Sequence, residues 1–395
     1  MKYDICIVGG CGHVGLPLGM AFADKGQSVV LYDINDAVIE KVNKGVVPFK
    51  ENGAEKVLSK VVKNQKLKAT HDKTVIRDSK VVVLVIGTPV DEHLNPKVGD
   101  IIRAIKDVED ELRDDQLLVM RSTLYPGVTE KVEIYLRKMG KKTLVAFCPE
   151  RIIEGHALTE LYELPQIVAG TSAEATKKAS ELFKLLTKKI MVTKPTEAEL
   201  AKLFTNTWRY INFAISNQFY MIANSHGLDF YNIYDAMTED YPRLKTFAKA
   251  GLAAGPCLFK DTMQLSAFSG NNFFLGHSAM LVNEGLPLFI IDAMKQKYDL
   301  RKSTVAILGM AFKGNNDDSR ESLSYKLKKI LEVEADIVLC NDPYVNDPRF
   351  VSIDEIKKRA DIIVLATPHS VYADEKWDGK EVVDMWNFYG NGGLV

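Results

Sequence analysis

Between Met1 and about Lys194 the chain alternates short apolar runs with longer amphipathic ones. The short runs, rich in β-branched residues, are Ile5 to Val8, Val29 to Tyr32, Val81 to Ile86, Leu117 to Met120, Leu144 to Phe147, Gln166 to Ala169 and Ile190 to Val192. Strand-length runs separated by helix-length ones predict βαβ units and a parallel sheet. From Pro195 the texture changes. Leu200, Leu203, Phe204, Ile211 and Ile215 recur at helical spacing, Thr196 and Glu199 have the spacing of a capping box, and Gly227 is a plausible stop, which predicts one helix of more than thirty residues. Such a helix links domains and offers a dimer face. A further apolar helix is expected near Leu281 to Lys297, and strand patterns resume after Ser303, at Ile337 to Cys340, Ile362 to Ala366 and Val382 to Met385, with a helix opening near Ser319 to Ser322.

The first strand ends at Val8 and runs into G-C-G-H-V-G, with Gly10, Gly12 and Gly15 at dinucleotide-binding spacing. A second strand closes on Asp33, 23 positions after Gly10. In a Rossmann-type turn Gly10 makes the tight turn, Gly12 lets the backbone approach a pyrophosphate, Gly15 lets the helix pack closely, and the helix N-terminus faces the phosphate charge. A carboxylate at Asp33 suits ribose hydroxyls and repels a 2′-phosphate, which favours NAD over NADP. Gly87-Thr88-Pro89, Arg121-Ser122-Thr123 and Cys148-Pro149-Glu150-Arg151 follow later strands, where ligands of an open α/β sheet gather. The fold class is therefore α/β: two Rossmann-like doubly wound parallel-sheet domains joined by a long central helix and a helical middle domain. The divisions expected are residues 1–195, 196–300 and 301–395.

Charge narrows the partners. With a formal net charge of -1 and no basic block or acidic tail, the chain has the profile of a protein that binds a small molecule, and neither nucleic acid nor a membrane is expected as a partner. Its five cysteines form no CxxC and the N-terminus enters a strand pattern directly, so no disulfide framework, zinc site or signal peptide is expected, and the cytoplasm is the expected compartment. One cysteine differs from the rest. In G-L-A-A-G-P-C-L-F-K-D-T, Cys257 follows a Gly/Pro turn and precedes Lys260 and Asp261, where a loop would enter a helix; a helix N-terminus and a nearby ammonium both favour thiolate, the nucleophilic form. Lys202 and Asn206 stand at i and i+4 on one face of the long helix.

Taken together, these segments resemble the UDP-sugar and GDP-mannose dehydrogenases, which oxidise a sugar C6 alcohol to a carboxylate with two NAD per product. The resemblance rests on the Gly turn with Asp33, G-T-P at Gly87, S-T at Ser122, P-E-x-x-x-E from Pro149 to Glu154, K-L-F-T-N at Lys202, G-P-C-L-F-K-D-T, and A-F-K-G-N-N-D-D-S-R-E-S at Ala311. It implies NAD as cofactor, held by Gly10, Gly12, His13, Val14, Asp33, Thr88, Thr123 and Arg320. It further implies Cys257 as the nucleophile, Lys202 and Asn206 at the developing oxyanion, Asp261 supporting water or proton transfer, and Thr123, Glu150 and Glu154 at the reacting end. Glu150, Lys202, Arg243, Gly255 and Lys313 would bind a UDP-sugar, in a homodimer formed through the central helix. Cys148-Pro149-Glu150-Arg151 and Arg209-x-x-Asn212-x-Ala214-x-x-Asn217 look like the branch acting on UDP-N-acetylhexosamines, UDP-N-acetylmannosamine or UDP-N-acetylglucosamine, whereas K-D-T after the cysteine looks like the UDP-glucose type. Two departures stand out: Ala254 occupies a position commonly glycine, implying a differently shaped sugar-phosphate cradle, and His13 replaces an aromatic residue. A UDP-glucose 6-dehydrogenase, a single-step dehydrogenase and a non-catalytic NAD or nucleotide-sugar binding protein are the alternatives.

Overall fold

Eight apolar runs pair side by side in the first sheet of the computed structural model, which describes residues 2–252 and 255–395. The strands are β1 (Tyr3–Val8), β2 (Val29–Tyr32), β3 (Leu67–Thr70), β4 (Ser79–Leu84), β5 (Leu117–Met120), β6 (Leu144–Phe147), β7 (Gln166–Gly170) and β8 (Ile190–Val192), in the spatial order β3-β2-β1-β4-β5-β6-β7-β8. Side chains of β1 alternate between two separate cores. Ile5 and Ile7 join Leu16, Phe22 and Leu31, while Cys6 and Val8 join Val82, Leu84 and Met120. A strand covered on both faces has no polar face to show, which is why these runs are continuous rather than alternating.

Three expectations need correction. The sheet is not wholly parallel, because β7 pairs antiparallel with β6. Strand β3 was hidden in the sequence by its edge position: Leu67 and Ala69 are buried but Lys68 is exposed, so L-K-A-T lacks the continuous apolar, β-branched run of the interior strands. The capping box of Thr196 with Glu199 does not form. The long helix starts at Pro195, so it is Glu197 that folds back, onto the Lys194 amide at 3.1 Å and the Thr193 hydroxyl. Glu199 turns away and accepts from the Thr129 amide at 2.8 Å and the Thr129 hydroxyl at 2.6 Å, and from the Gly127 amide at 2.5 Å, so it caps the helix Val128–Lys138 instead.

The long helix covers Pro195–Ser225, 31 residues, and Gly227 follows with φ +68°, the left-handed stop expected of it. Packing divides the chain into two units, residues up to Thr205 with Met263–Phe268, and Asn206–Thr262 with Ser269–Val395. In the second unit β9 (Thr304–Leu308), β10 (Ile337–Asn341), β11 (Ile362–Leu365) and β12 (Glu381–Val383) form a parallel sheet in the order β10-β9-β11-β12. The apolar helix begins earlier than expected, spanning Phe274–Lys297. Its length and composition would suit a membrane span, but its Leu286, Ile290, Ile291 and Met294 are fully buried among Val305, Ile307 and Leu327 of this unit.

Asp342, just past β10, is buried and meets the turn after β9. Its Oδ2 accepts from the amides of Met310 at 2.6 Å and Ala311 at 2.9 Å and faces His369 Nε2 at 3.0 Å, while Oδ1 accepts from the amides of Tyr344 and Val345. Burial works to raise its pKa, yet His369 and the amides outweigh it and hold the carboxyl at about 2 against an ordinary 3.8. A carboxyl depressed in the folded state stabilises it fully above the unfolded pKa and loses that contribution as pH falls through the folded one. The stability advantage of the native protein over Asp342→Asn should therefore narrow by about 2 kcal/mol between pH 5 and pH 2, as read by denaturant titration at each pH.

Candidate active site

The glycine turn after β1 has the expected shape with one role reassigned. The left-handed residue is Gly9, with φ +73°, where a Cβ would lie 2.0 Å from the Val85 carbonyl oxygen. Gly10 is needed for packing instead, since a Cβ there would stand 2.8 Å from that of Leu31. At Gly15 a Cβ would fall 2.7 Å from the Gly10 Cα, so the helix Gly15–Asp24 starts hard against the turn. A Cβ at Gly12 would meet nothing within 4 Å, which leaves a ligand free approach to the backbone, and Val14 provides no side-chain cap for the helix amides. Asp33, half-buried at the end of β2, accepts from the Cys11 amide at 2.9 Å and ties the turn to its strand. His13 packs edge-on against Phe49, ring centres 4.1 Å apart.

The later strand ends are joined to one another. Ser122 Oγ after β5 accepts from the Ile86 amide after β4 at 2.7 Å. Arg121, 1% exposed, reaches past β6 to pair with Glu150, and donates to the Cys148 carbonyl at 3.1 Å and to Gln166 Oε1 at 3.0 Å. The other Glu150 oxygen accepts from the amides of Arg151 and Ile152 at 2.7 and 2.9 Å. Glu150 thus shapes the turn that leads to half-buried Glu154, and Thr123 stands half-buried beside this network. A residue not singled out from sequence holds the far side: buried Glu51 accepts from the amides of Gly155 at 2.8 Å and Ala157 at 2.7 Å. Burial, outweighing those amides, raises its pKa. Its signal, one acid in a polar loop more than a hundred positions away, carried no indication of this contact.

In the second unit Cys257 sits where the sequence placed it, immediately before the helix Leu258–Phe268, and its carbonyl accepts from the Asp261 amide at 3.0 Å, the first bond of that helix. Cys257 is exposed, whereas Cys6, Cys11, Cys148 and Cys340 are buried. Burial pushes the thiols of Cys6, Cys11 and Cys148 up to about 12 and that of Cys340 up to about 11. Below Cys257 lies a fully buried carboxylate. Asp261 Oδ2 accepts from Asn206 Nδ2 at 2.6 Å, and Oδ1 pairs with the Lys260 ammonium. Burial works to lower the Lys260 pKa, but the charges of Asp261 and Cys257 outweigh it and raise it, so Lys260 keeps its proton beside the sulfur. With both oxygens engaged, Asp261 serves to hold Asn206 and Lys260. Lys202, buried, precedes Asn206 by one turn of the long helix. The second half of the Cys257 helix, Met263–Phe268, belongs to the first unit, where Gln264 donates to the Thr88 carbonyl at 3.3 Å and Phe268 packs on Tyr125.

The described residues upstream of Cys257 are gripped at several points. Asn212 Nδ2 donates to the Thr246 carbonyl at 2.7 Å, and the Asn217 Oδ1 accepts from the Gly251 amide at 2.8 Å. These two asparagines, part of the pattern that resembles the N-acetylhexosamine branch, thus hold Thr246 and Gly251. Gly251, with φ +156°, lies so close to Trp386 that a Cβ would come within 2.1 Å of its ring, and a Cβ at Gly255, with φ +104°, would stand 2.5 Å from the Phe312 ring. Ala254 lies outside the described residues. Lys313 extends over the Phe312 ring at 5.8 Å, and exposed Arg320 is tied to Asp318 by three side-chain bonds of 2.6 to 2.9 Å. Arg243, exposed on the turn Pro242–Leu244, meets Tyr241 and is not among the groups gathered round Asp261.

Family models match the chain in three consecutive parts, all described as UDP-glucose/GDP-mannose dehydrogenase family: the NAD binding domain over residues 3–187, the central domain over 196–284 and the UDP binding domain over 306–391. A UDP-N-acetyl-D-mannosamine dehydrogenase from Pyrococcus horikoshii is 32% identical over 93% of this chain and 90% of its own. One from Methanocaldococcus jannaschii is 31% identical over 96% and 88%. Among solved structures, the UDP-D-ManNAc dehydrogenase of Pyrococcus horikoshii superposes with a TM-score of 0.88, covering 96% of this chain and 93% of that one at 32% identity. A UDP-glucose dehydrogenase from Pyrobaculum islandicum gives a TM-score of 0.88 at 25% identity, covering 97% and 94%.

The contrast among cysteines has a direct readout. A disulfide reagent such as DTNB should titrate one thiol per native chain rapidly and five after denaturation. Cys257→Ala should abolish the native signal and leave the rest unchanged.

Proposed function

The chain belongs to the UDP-glucose/GDP-mannose dehydrogenase family, and we propose that it oxidises the C6 alcohol of a UDP-N-acetylhexosamine to the carboxylate through a covalent adduct at Cys257. The observation that carries this reading is the exposed Cys257 at a helix N-terminus, above the buried Asn206, Asp261 and Lys260 cluster, while every other described cysteine is buried. The lean towards the N-acetylhexosamine branch, UDP-N-acetylmannosamine or UDP-N-acetylglucosamine, draws support from the UDP-N-acetyl-D-mannosamine dehydrogenases among the relatives. UDP-glucose is the alternative. We keep the three-part division at residues 195 and 300 as the functional one: cofactor, thiol, nucleotide sugar.

The first turn suits NAD. Gly12 is open, the helix amides carry no side-chain cap, and Asp33 offers a carboxylate at the ribose position with Gly10, His13, Val14, Thr88, Thr123 and Arg320 as the other holding groups. NAD, when bound, supplies the hydride acceptor for both oxidations. The remaining work falls to side chains. An aldehyde has no hydride ready to leave until a nucleophile adds to it. The Cys257 sulfur attacks C6, giving a tetrahedral thiohemiacetal that carries one. Its oxidation leaves a thioester, which water opens, forming the carboxylate and returning the thiol. Lys202 and Asn206 stabilise the alkoxide of each tetrahedral species, an effect of about 3 kcal/mol per donor in comparable sites. Asp261 fixes the Asn206 amide so that its remaining N–H points one way. Thr123, Glu150 and Glu154 line the reacting end, and Arg243, Gly255 and Lys313 bind the nucleotide sugar.

On the long helix Phe204, Trp208, Ile215, Phe219 and Ile222 are exposed at helical spacing. A solvated helix does not display such a stripe, and we assign it to a second copy of the chain, a homodimer through the central helix. No disulfide joins the described cysteines.

Two NADH should be released per UDP-N-acetylmannosamine or UDP-N-acetylglucosamine consumed, with UDP-glucose turned over more slowly, all followed by NADH absorbance. One NADH per substrate would exclude the thioester route. Cys257→Ala should lower acid formation on the order of a thousandfold while NAD affinity stays within about twofold. Trp208→Glu with Ile215→Glu should convert the dimer to monomers in sedimentation velocity.

A further inference from the structure

Beyond the groups already assigned roles, a fully buried histidine connects three loops of the second unit. His369, after β11, places Nε2 3.0 Å from Asp342 Oδ2 and accepts the Asn315 amide on Nδ1 at 2.9 Å. A ring nitrogen that accepts an N–H carries no proton itself, so the proton of the neutral ring is on Nε2 and is donated to Asp342. The same Asp342 oxygen holds the amides of Met310 and Ala311. One imidazole thus ties both ends of the segment from Met310 to Asn315, the segment that carries Phe312 and Lys313.

The neighbours of His369 complete the grip. Thr367 Oγ1 donates to the Ala311 carbonyl at 2.7 Å, and Ser370 donates from its amide and its hydroxyl to Asn315 Oδ1, each at 2.9 Å. The segment is bent tightly to meet these partners. Asn315 adopts φ +56°, and a Cβ at Gly314 would fall 2.5 Å from the Pro368 carbonyl oxygen. An asparagine in the left-handed region is held there by its surroundings rather than by preference. Phe312, in the middle of the segment, packs against Gly255, two residues before Cys257.

We infer that His369 is a positioning residue for nucleotide-sugar binding: by bridging Asp342 and the Asn315 amide it sets the segment bearing Phe312 and Lys313, and touches no substrate atom itself. This rests on the reading that Lys313 meets the UDP portion. Removing the imidazole frees the distal end of the segment, so that UDP must reorder it on binding, while the NAD turn keeps its own supports and the chain before Cys257 keeps its ties to Asn212, Asn217 and Trp386.

The test uses the full-length protein, with UDP and NAD binding measured separately by calorimetry and turnover measured with the UDP-sugar the wild type oxidises best. His369→Leu removes both hydrogen bonds, whereas His369→Asn keeps an acceptor for the Asn315 amide. His369→Leu should weaken UDP binding and raise the KM for the UDP-sugar at least about tenfold, with kcat within about threefold and NAD affinity unchanged. His369→Asn should recover about half of that loss on a logarithmic scale. If His369→Leu does not fold, Ser370→Ala, which removes one exposed hydroxyl contact, and His369→Asn carry the test, each expected to weaken UDP binding about two- to fivefold. UDP affinity within twofold of wild type in all folded variants overturns the inference, as does a parallel loss of NAD binding and kcat. A wild-type protein that binds UDP yet oxidises no UDP-sugar refutes the enzymatic reading and leaves the UDP measurements on His369 decisive by themselves.

Discussion

Asp261 is a charge with no solvent around it, and the arrangement of the thiol site follows from that. A fully buried carboxylate is tolerated only when its oxygens are paired, and stripping away one partner of such a group costs about 3 to 5 kcal/mol. Asn206 from the long helix and Lys260 from the preceding residue supply the pairing. The consequence runs in both directions. Asn206 cannot rotate without orphaning the carboxylate, and Lys260 cannot lose its proton without removing the counter-charge. Two donors are therefore held together by a group whose own oxygens are both engaged, and one of them, Lys260, stands beside Cys257. Replacing such a cluster with packed hydrocarbon would serve stability as well or better; what hydrocarbon cannot do is aim an amide and an ammonium.

The same device recurs wherever a loop of the site must be still. Asp33 takes the Cys11 amide, Glu51 those of Gly155 and Ala157, Glu150 those of Arg151 and Ile152, Glu199 those of Gly127 and Thr129, and Asp342 those of Met310 and Ala311. Turns at strand ends and helix starts leave amides without backbone partners, and a carboxylate satisfies two at once while complementing the helix dipole. The two nucleotide-type turns differ instructively. Asp33 remains half-exposed after securing its turn, so a ligand can still address it, whereas Asp342 is enclosed by amides and His369. The second turn has spent inside the fold the acid that the first offers outward.

How much of this was legible in the sequence depends on the range of the interaction. Strands such as Val29–Tyr32 and Leu144–Phe147, the helix start at Cys257 and the Gly227 stop are written in adjacent residues, and the structure has them as expected. Motif spacing also anticipated that Asp33 follows the second strand and that Lys202 and Asn206 share one helix, because a βαβ unit and a helical turn have fixed geometry. Pairings that close over long stretches of chain were not legible. Glu199 matched a local capping box with Thr196 and went instead to Thr129, seventy positions away, since a buried helix start without a cap outbid a solvated one. Glu51, Asp342 and His369 had no local pattern at all. The left-handed Gly9 was missed for a similar reason: it is the Val85 carbonyl on β4's exit, a contact that glycine spacing does not encode, that leaves no room for a Cβ there.

The nucleophile proposed at Cys257 must be reachable, and reachability is what a folded chain otherwise suppresses in cysteine. Four of the five are buried, with thiols pushed far from ionisation, and would be inert in any chemistry at neutral pH. Exposing the fifth removes burial as a means of fixing it, so its position has to be set by the chain on either side. Downstream the helix Leu258–Phe268 starts at once; upstream, among the described residues, Asn212 holds Thr246, Asn217 and Trp386 hold Gly251, and Phe312 packs on Gly255, two glycines where no side chain would fit. For a solvent-facing sulfur the constraint lies in the backbone that carries it rather than in packing round the side chain.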